Sequence, residues 1–463
     1  MIAHLNLRRN LASLYIAIGA HAFAFYVLYN TLVLWLISLG LPKATATSRF
    51  GAFVFAAYVT PMLGGWISTH TGLRPVAIVG AATAATGYLL TSLSPLAGIV
   101  LVGIGCGFVK TAVTAMVGRL FPEGAPGADK AFAWFYSAIN VGAFFSPIAA
   151  SYLMSRYGFT TAFASAAVGD LVVLTTIAVN YRSLDVVESA SSIAAVTGVA
   201  VELPSDSEAE SHFGGVEQQK AATMRRRKMI ALWIFLVLAT LAFWPAYHQN
   251  GSGLNIWASE NTERMTRWGE IQPPMFALVN SLVCVFCGGV IVAAARWVSG
   301  RVRAVARRRP CRGVVGTVTF VDGEMTSRCD CHAATASEFA NAPQTTPLSF
   351  STIAGYLTMA ASFTCLLVAP IAKAHPAWLI VAIVLSSVSE ILISSLGLAQ
   401  VAKLTHRHLQ PIYTSVWFVT SGVGGQIAGQ LGGFALLTGF RILVALCLTG
   451  GVIASILRRR LDV

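Results

Sequence analysis

Charged side chains are scarce in this sequence: 11% of its 463 residues are Asp, Glu, Lys or Arg, whereas 56% are hydrophobic. A soluble domain typically carries about 25% charged residues, so the composition excludes an ordinary soluble protein. Many apolar runs approach or exceed the roughly 20 residues that cross a bilayer as a helix. The sequence therefore predicts an all-α membrane protein with many spans.

Motifs of enzymes are also missing. The chain contains no H-E-x-x-H, no G-x-S-x-G and no P-loop, so we expect no enzymatic activity and no cofactor. Its cysteines do not indicate a disulfide framework, because several fall within predicted spans and act there as small apolar residues: Cys106, Cys284, Cys287, Cys365 and Cys447. The net charge of +13 does not indicate a nucleic-acid partner, because cytoplasmic loops of membrane proteins collect Lys and Arg.

Hydropathy and turn signals predict twelve spans separated by short links and by two long polar loops, over 182–228 and 298–348. The predicted spans are 11–39, 50–70, 74–94, 97–119, 130–153, 159–181, 229–251, 273–297, 349–371, 377–400, 411–437 and 440–457. The first apolar segment is too long for a signal peptide, so we expect it to be retained. Most Lys and Arg residues lie on the side of the N-terminus, which predicts cytoplasmic termini and a plasma-membrane location.

The first long loop is acidic and then basic, and we expect it to be a largely disordered cytoplasmic linker. It divides the chain into six-helix bundles over 1–181 and 229–463. Two such halves are the layout of the major facilitator fold, in which the halves rock around a site near the middle of the membrane.

The second long loop contains Cys311, Cys329, Cys331 and His332, which are zinc ligands by residue type. The spacing C-x17-C-x-C-H matches no standard finger, and two ligands only two residues apart are geometrically awkward. We therefore predict a basic, membrane-proximal loop without a metal.

Ionisable residues within spans are costly unless they are paired or hydrated, so they are the best functional signal in the sequence. They are His21, Lys110, Asp170, His248 and Glu390. Lys110 and Glu390 lie in different halves, which suits a zwitterion whose carboxylate meets Lys110 and whose amine meets Glu390. The alternative is that such groups only pair with one another, and drug exporters also carry isolated charges.

The segment "WFYSAINVGAFFSP" over 134–147 is more specific. Tyr136 and Asn140 lie one helical turn apart and share a face, while Gly142 and Pro147 allow close approach and a kink. The segment resembles the F-Y-x-x-I-N-x-G signature of the proton-coupled oligopeptide transporters and matches every fixed position.

The resemblance extends over most of the membrane portion, through 58–66, 103–113, 243–258, 276–282, 389–404 and 413–429. It implies a site for short peptides, with Lys110, Asn280, Glu390, Trp417 and Ser421 at family positions and Glu390 at the glutamate that receives the peptide amine. We add Tyr26, Tyr29 and Asn140 as helpers of Lys110 and Tyr58 as an aromatic wall. The implied partners are a peptide, protons and the bilayer, and we expect a monomer.

The departures from the family concern its charges. The first span of the family reads E-x-x-E-R, whereas this chain has Ile18-Gly-Ala-His21-Ala22. In the seventh span, His248 replaces a glutamate, and we expect His21 and His248 to face each other across the cavity. Three mechanisms stay open: the histidines carry the proton, Glu390 or Asp170 carries it, or coupling is lost. There are two alternative functions: an exporter or exchanger that is independent of protons, and a sensor without transport.

Overall fold

The computed structural model describes residues 2–121, 127–184, 215–267, 269–307, 319–321, 324–326, 347–397, 401, 404–405 and 410–462. These residues are almost entirely helical, and eleven of the helices are long and apolar enough to cross a membrane. A further long helix over 410–431 contains three glutamines and is not among those eleven. The described chain thus has a helix at each of the twelve predicted spans.

The first half is a bundle of six helices, which we label in chain order: α1 Ile2–Ser38, α2 Lys43–Thr71, α3 Leu73–Thr91, α4 Pro95–Arg119, α5 Ala128–Tyr157 and α6 Phe159–Val179. α2 begins at Lys43, earlier than the predicted 50. Hydropathy detects only the apolar part of a helix, whereas residues 43–49 form a polar turn that continues the same hydrogen-bond pattern.

The second half contains helices that change their winding along their length. Helix α7 consists of Gly215–Leu238, a π-helical turn Ala239–Phe243, Trp244–Tyr247 and a 3-10 turn His248–Gly251. Helix α8 consists of Pro273–Phe276, Ala277–Leu282, a π-helical turn Val283–Cys287 and Gly288–Arg307. The remaining helices are α9 Leu348–Val368, α10 Pro376–Glu390 with a π-helical turn Ile391–Ser395, α11 Gln410–Leu431 and α12 Leu436–Ile456. Such π-helical turns often mark functional positions.

Shorter elements connect or follow these helices. A helix over Gly253–Glu260 follows α7, and Arg458–Leu461 follows α12. Two antiparallel hairpins join β1 Met265–Thr266 to β2 Gly269–Glu270 and β3 Thr319–Val321 to β4 Glu324–Thr326. The linker predicted over 182–228 differs in part, because residues 215–228 belong to α7; residues 185–214 lie outside the described residues.

The two halves contact each other mainly through α2 with α11, and α5 also contacts α8. One end of the bundle, which holds the α1–α2 and α11–α12 turns, is closed by bonds between the halves. The Lys43 ammonium lies 2.6 Å from Glu260, the Asn255 amide donates to the carbonyl of Asn30 at 2.9 Å, and Gln430 donates to Ser48 at 3.2 Å.

Glycines permit the closest helix approaches. A Cβ on Gly142 would collide with the carbonyl oxygen of Gly19, so the predicted close approach at Gly142 is confirmed and brings α5 against α1. Pro147 lies inside α5, as expected for a kink position.

Candidate functional site

Lys110 of α4 lies against aromatic rings rather than against a carboxylate. Its ammonium is 4.0 Å from the centroid of the Tyr58 ring on α2 and 5.2 Å from that of Phe25 on α1. Both distances fall within the range of cation–π attraction, which holds the charge where it is only half-buried. Among the described residues, no carboxylate lies within 4.0 Å of this ammonium, so its charge is available to a ligand.

Glu390 lies in the second half, at the end of the α-helical part of α10. Its Oε2 accepts a hydrogen bond from the amide of Asn280 on α8 at 2.8 Å and a weaker one from the thiol of Cys284 at 3.8 Å. The same amide donates to Ser387 at 2.9 Å, which fixes the side chain of Asn280. Within the described part of the chain, no cationic side chain lies within 4.0 Å of Glu390.

Aromatic side chains of α1 and α2 surround Lys110. The ring of Tyr26, which is half-buried, packs edge-on against Phe25 at 5.2 Å and against Tyr29 at 5.8 Å. Tyr58 lies between Lys110 and the second half, with its ring centroid 5.8 Å from that of His248. These rings provide an apolar surface beside the ammonium.

His248 joins the two halves and is completely buried. Its Nδ1 lies 3.2 Å from the hydroxyl of Tyr29, and its Nε2 lies 3.1 Å from the hydroxyl of Ser421 on α11. Both ring nitrogens therefore have protein partners. Three residues predicted separately, Tyr29, His248 and Ser421, form one hydrogen-bonded chain across the boundary.

We expected His21 to face His248 across the cavity, but His21 pairs with Asp170 instead. Its Nδ1 lies 2.8 Å from Oδ1 of Asp170 on α6, and both side chains are buried within the first half. The structure therefore does not place it face to face with His248. A buried carboxylate attracts an imidazole strongly, and α6 packs directly on α1, whereas α7 meets α1 nearer its end.

Two other predicted residues contact the protein itself. Trp417 is buried and stacks on Phe235 of α7 with ring centroids 5.3 Å apart. The amide of Asn140 donates to the carbonyl of Tyr136 one turn earlier at 2.9 Å, while the ring of Tyr136 is 49% exposed. In this conformation Trp417 is therefore buried, whereas six other groups are at least partly exposed: Tyr26, Lys110, Tyr136, Asn140, Asn280 and Glu390.

Cys284 beside Glu390, and Cys106 beside His21, were missed because an intramembrane cysteine looks like any small apolar residue in the sequence. Their significance depends on neighbours more than 80 residues away in the chain. The loop cluster Cys311, Cys329, Cys331 and His332 lies outside the described residues.

Comparison with known proteins gives concordant results. The model of the POT family matches residues 51–183. The chain is 26% identical over 449 residues to the dipeptide and tripeptide permease A of Escherichia coli (strain K12), covering 88% of this chain and 81% of the relative.

Solved structures of POT transporters have the same fold. A POT family transporter in complex with 5-aminolevulinic acid superposes with a TM-score of 0.75 at 19% identity, over 98% of this chain and 97% of that one. A peptide transporter POT in complex with sulfate gives 0.74 at 20% identity, over 98% and 95%. The chain is thus an integral, multi-pass membrane protein with the major facilitator fold, homologous to these permeases.

Proposed function

We propose that this homologue of the POT-family permeases is a secondary active transporter of di- and tripeptides or peptide-like zwitterions. Its sequence relatives are named as dipeptide and tripeptide permeases, and one structural relative holds 5-aminolevulinic acid, a compound with an amine at one end and a carboxylate at the other. The chain has the helices and the two-halved layout that such transport requires.

One observation carries the proposal: Lys110 and Glu390 are opposite charges in different halves, and neither has an ionic partner among the described residues. An unpaired charge in a membrane protein is costly, so it is retained where a ligand compensates it. The substrate carboxylate binds at Lys110, with Tyr26 and Tyr29 beside it, and the substrate amine binds at Glu390 beside Asn280. Tyr58 and the neighbouring rings accept the apolar side chains of the peptide.

Transport then follows by alternating access. The two halves, α1–α6 and α7–α12, are joined by the cytoplasmic segment between α6 and α7 and rock around the site between Lys110 and Glu390. The Lys43–Glu260 pair and the α2–α11 contact close one end in this structure, and they separate when that end opens. The protein acts as a monomer in the plasma membrane, with both termini in the cytoplasm and that closed end outside.

Glu390 is the group we assign to proton coupling. It is half-buried at the substrate site, so it can exchange a proton and meet the substrate amine in turn. His248 is fully buried with both nitrogens occupied, and His21 is held by Asp170 away from the site. The two histidines therefore fit structural roles better than proton transfer.

Uptake into proteoliposomes tests this function. Purified protein is reconstituted, and labelled dipeptides, tripeptides and single amino acids are compared with and without an imposed inward proton gradient. We expect dipeptide and tripeptide uptake that the gradient accelerates. Absence of peptide uptake in all conditions contradicts the transport proposal.

A proton-independent exchanger is the second candidate, because the first span lacks the E-x-x-E-R charges that the family links to coupling. Counterflow measured with and without a proton gradient distinguishes the two candidates. Vesicles preloaded with unlabelled dipeptide accumulate labelled dipeptide in either case, but only for the exchanger is this accumulation independent of the gradient.

A further inference from the structure

A cluster of three different metal-ligand side chains lies inside the first half. His21 of α1, Cys106 of α4 and Asp170 of α6 each offer one ligand atom, and these atoms all lie within 4.8 Å of one another. All three residues are buried, at 2%, 0% and 0% exposure. The proposed transport mechanism uses none of them.

The donor set is that of a borderline-soft transition metal. Imidazole nitrogen, thiolate sulfur and carboxylate oxygen are the ligands of Zn²⁺, whereas calcium and magnesium take oxygen alone. In a tetrahedral zinc site, bonds of about 2.0 Å to nitrogen and 2.3 Å to sulfur place those two atoms about 3.6 Å apart. The ligand atoms of the three residues all lie within 4.8 Å of one another, so small side-chain rotations can bring them to such separations.

Two polar atoms of the His21–Asp170 pair have no hydrogen-bond partner in the described part of the chain, and they indicate a further ligand. Nε2 of His21 and Oδ2 of Asp170 are buried and have no hydrogen-bond partner among the described residues. A buried polar atom without a partner is destabilising, so the pair by itself does not account for the arrangement. A metal ion would engage one or both of these atoms.

Charge balance supports the same conclusion. A thiolate and a carboxylate carry two negative charges, and neutral imidazole carries none, so one divalent cation makes the cluster neutral. Neutrality matters here because a net charge surrounded by apolar helices is expensive. The hydroxyl of Tyr88 on α3, 3.6 Å from the Cys106 sulfur, lies close enough to provide or orient a fourth ligand.

We propose that His21, Cys106 and Asp170 bind one divalent transition-metal ion and that this ion is Zn²⁺. The ion joins α1, α4 and α6. The site is structural, since all three ligands are buried and belong to three different helices of one half. This inference is independent of the transport proposal, because it concerns metal content and not uptake.

Metal analysis of the purified full chain tests the proposal. Tag-free protein is produced in zinc-supplemented medium, because a sealed site is best filled during synthesis, and excess metal is removed by gel filtration. The background carries Cys311→Ser, Cys329→Ser, Cys331→Ser and His332→Ala, which removes the possible metal ligands of the loop. We expect about one zinc per chain by mass spectrometry, and at least a tenfold lower content in Cys106→Ser and Asp170→Asn, because each loses a ligand.

Cys447→Ser is the matched control, because Cys447 is an equally buried cysteine in α12 of the other half. It should keep the zinc. Cys106→Ser is nearly isosteric and can still bond to Tyr88, and a monodisperse gel-filtration peak shows that it has folded.

Cobalt provides a second, direct signal. Protein produced with Co²⁺ should show a thiolate-to-cobalt charge-transfer band that disappears in Cys106→Ser and persists in Cys447→Ser. A zinc content below half an equivalent in the folded parent protein overturns the proposal. So does a zinc content that is the same in Cys106→Ser as in the parent.

Discussion

The hydroxyl of Tyr29 and Nδ1 of His248 lie 3.2 Å apart and connect α1 of the first half to α7 of the second. The other imidazole nitrogen continues the connection to Ser421 on α11. In the proposed alternating access, the two halves separate at the end that is closed in this structure. The Tyr29–His248 hydrogen bond is therefore present in one state and broken in the other.

Tyr29→Phe should therefore destabilise the present conformation. The change leaves Nδ1 of a buried imidazole without its partner, which costs about 1–3 kcal/mol. We expect the thermal midpoint in detergent to fall by a few degrees, measured by intrinsic fluorescence. Tyr152→Phe, at an exposed tyrosine of α5, is the control and should shift nothing. Equal shifts in both variants would show that the hydroxyl of Tyr29 makes no special contribution.

The assignment of Lys110 to the substrate carboxylate predicts a specific loss. Lys110→Met keeps the aliphatic stem against Tyr58 but removes the charge, and a hydrogen bond to a charged group contributes about 1.5–3 kcal/mol. Dipeptide binding should weaken by roughly 10- to 100-fold, measured by isothermal calorimetry.

An amidated dipeptide completes this experiment. It lacks the carboxylate, so the parent protein should bind it as weakly as Lys110→Met binds the free dipeptide. The variant should not distinguish the two ligands. If Lys110→Met still prefers the free carboxylate by the same factor as the parent, Lys110 is not the carboxylate partner.

Glu390→Gln should separate coupling from transport. The variant keeps the hydrogen bond from Asn280 to a side-chain oxygen but can no longer titrate. We expect the proton gradient to lose its effect on uptake, while counterflow exchange of dipeptide continues at a reduced rate.

The control is Glu270→Gln, which removes an exposed carboxylate paired with Arg264. Such a surface pair contributes only about 0–1 kcal/mol, so gradient-driven uptake should remain. A Glu390→Gln protein that still responds fully to the gradient would show that Glu390 does not carry the proton.

The sequence predicts the helices of this protein well, because long apolar segments are detected residue by residue. It predicts the positions of Lys110 and Glu390 for the same reason: a charge in a span stands out locally. The partner of His21 could not be predicted, since Asp170 is 149 residues away and only the packing of α6 on α1 selects it over His248. The burial of Trp417 against Phe235 depends likewise on how α11 meets α7.

The contact between α2 and α11 gives a last prediction. A Cβ on Gly51 would lie 2.9 Å from the carbonyl oxygen of Gly425 and 3.0 Å from Cα of Gly429. These are backbone atoms, so they cannot turn away as a flexible side chain would. Gly51→Ala should therefore push the helices apart and destabilise the closed end by about 1–3 kcal/mol, the usual cost of overpacking.

A disulfide reporter measures this effect. In Ser48→Cys/Gln430→Cys, two side chains in contact across the closed end become cysteines, and the 48–430 cross-link is followed by mass spectrometry. We expect cross-linking to slow several-fold when Gly51→Ala is added, and peptide uptake to slow with it, because the closed state that the cycle requires is less populated. Gly288→Ala on α8 is the matched control, because an added Cβ there meets no atom within 4 Å. It should change neither rate. Unchanged cross-linking in Gly51→Ala would mean that this glycine contact does not govern closure.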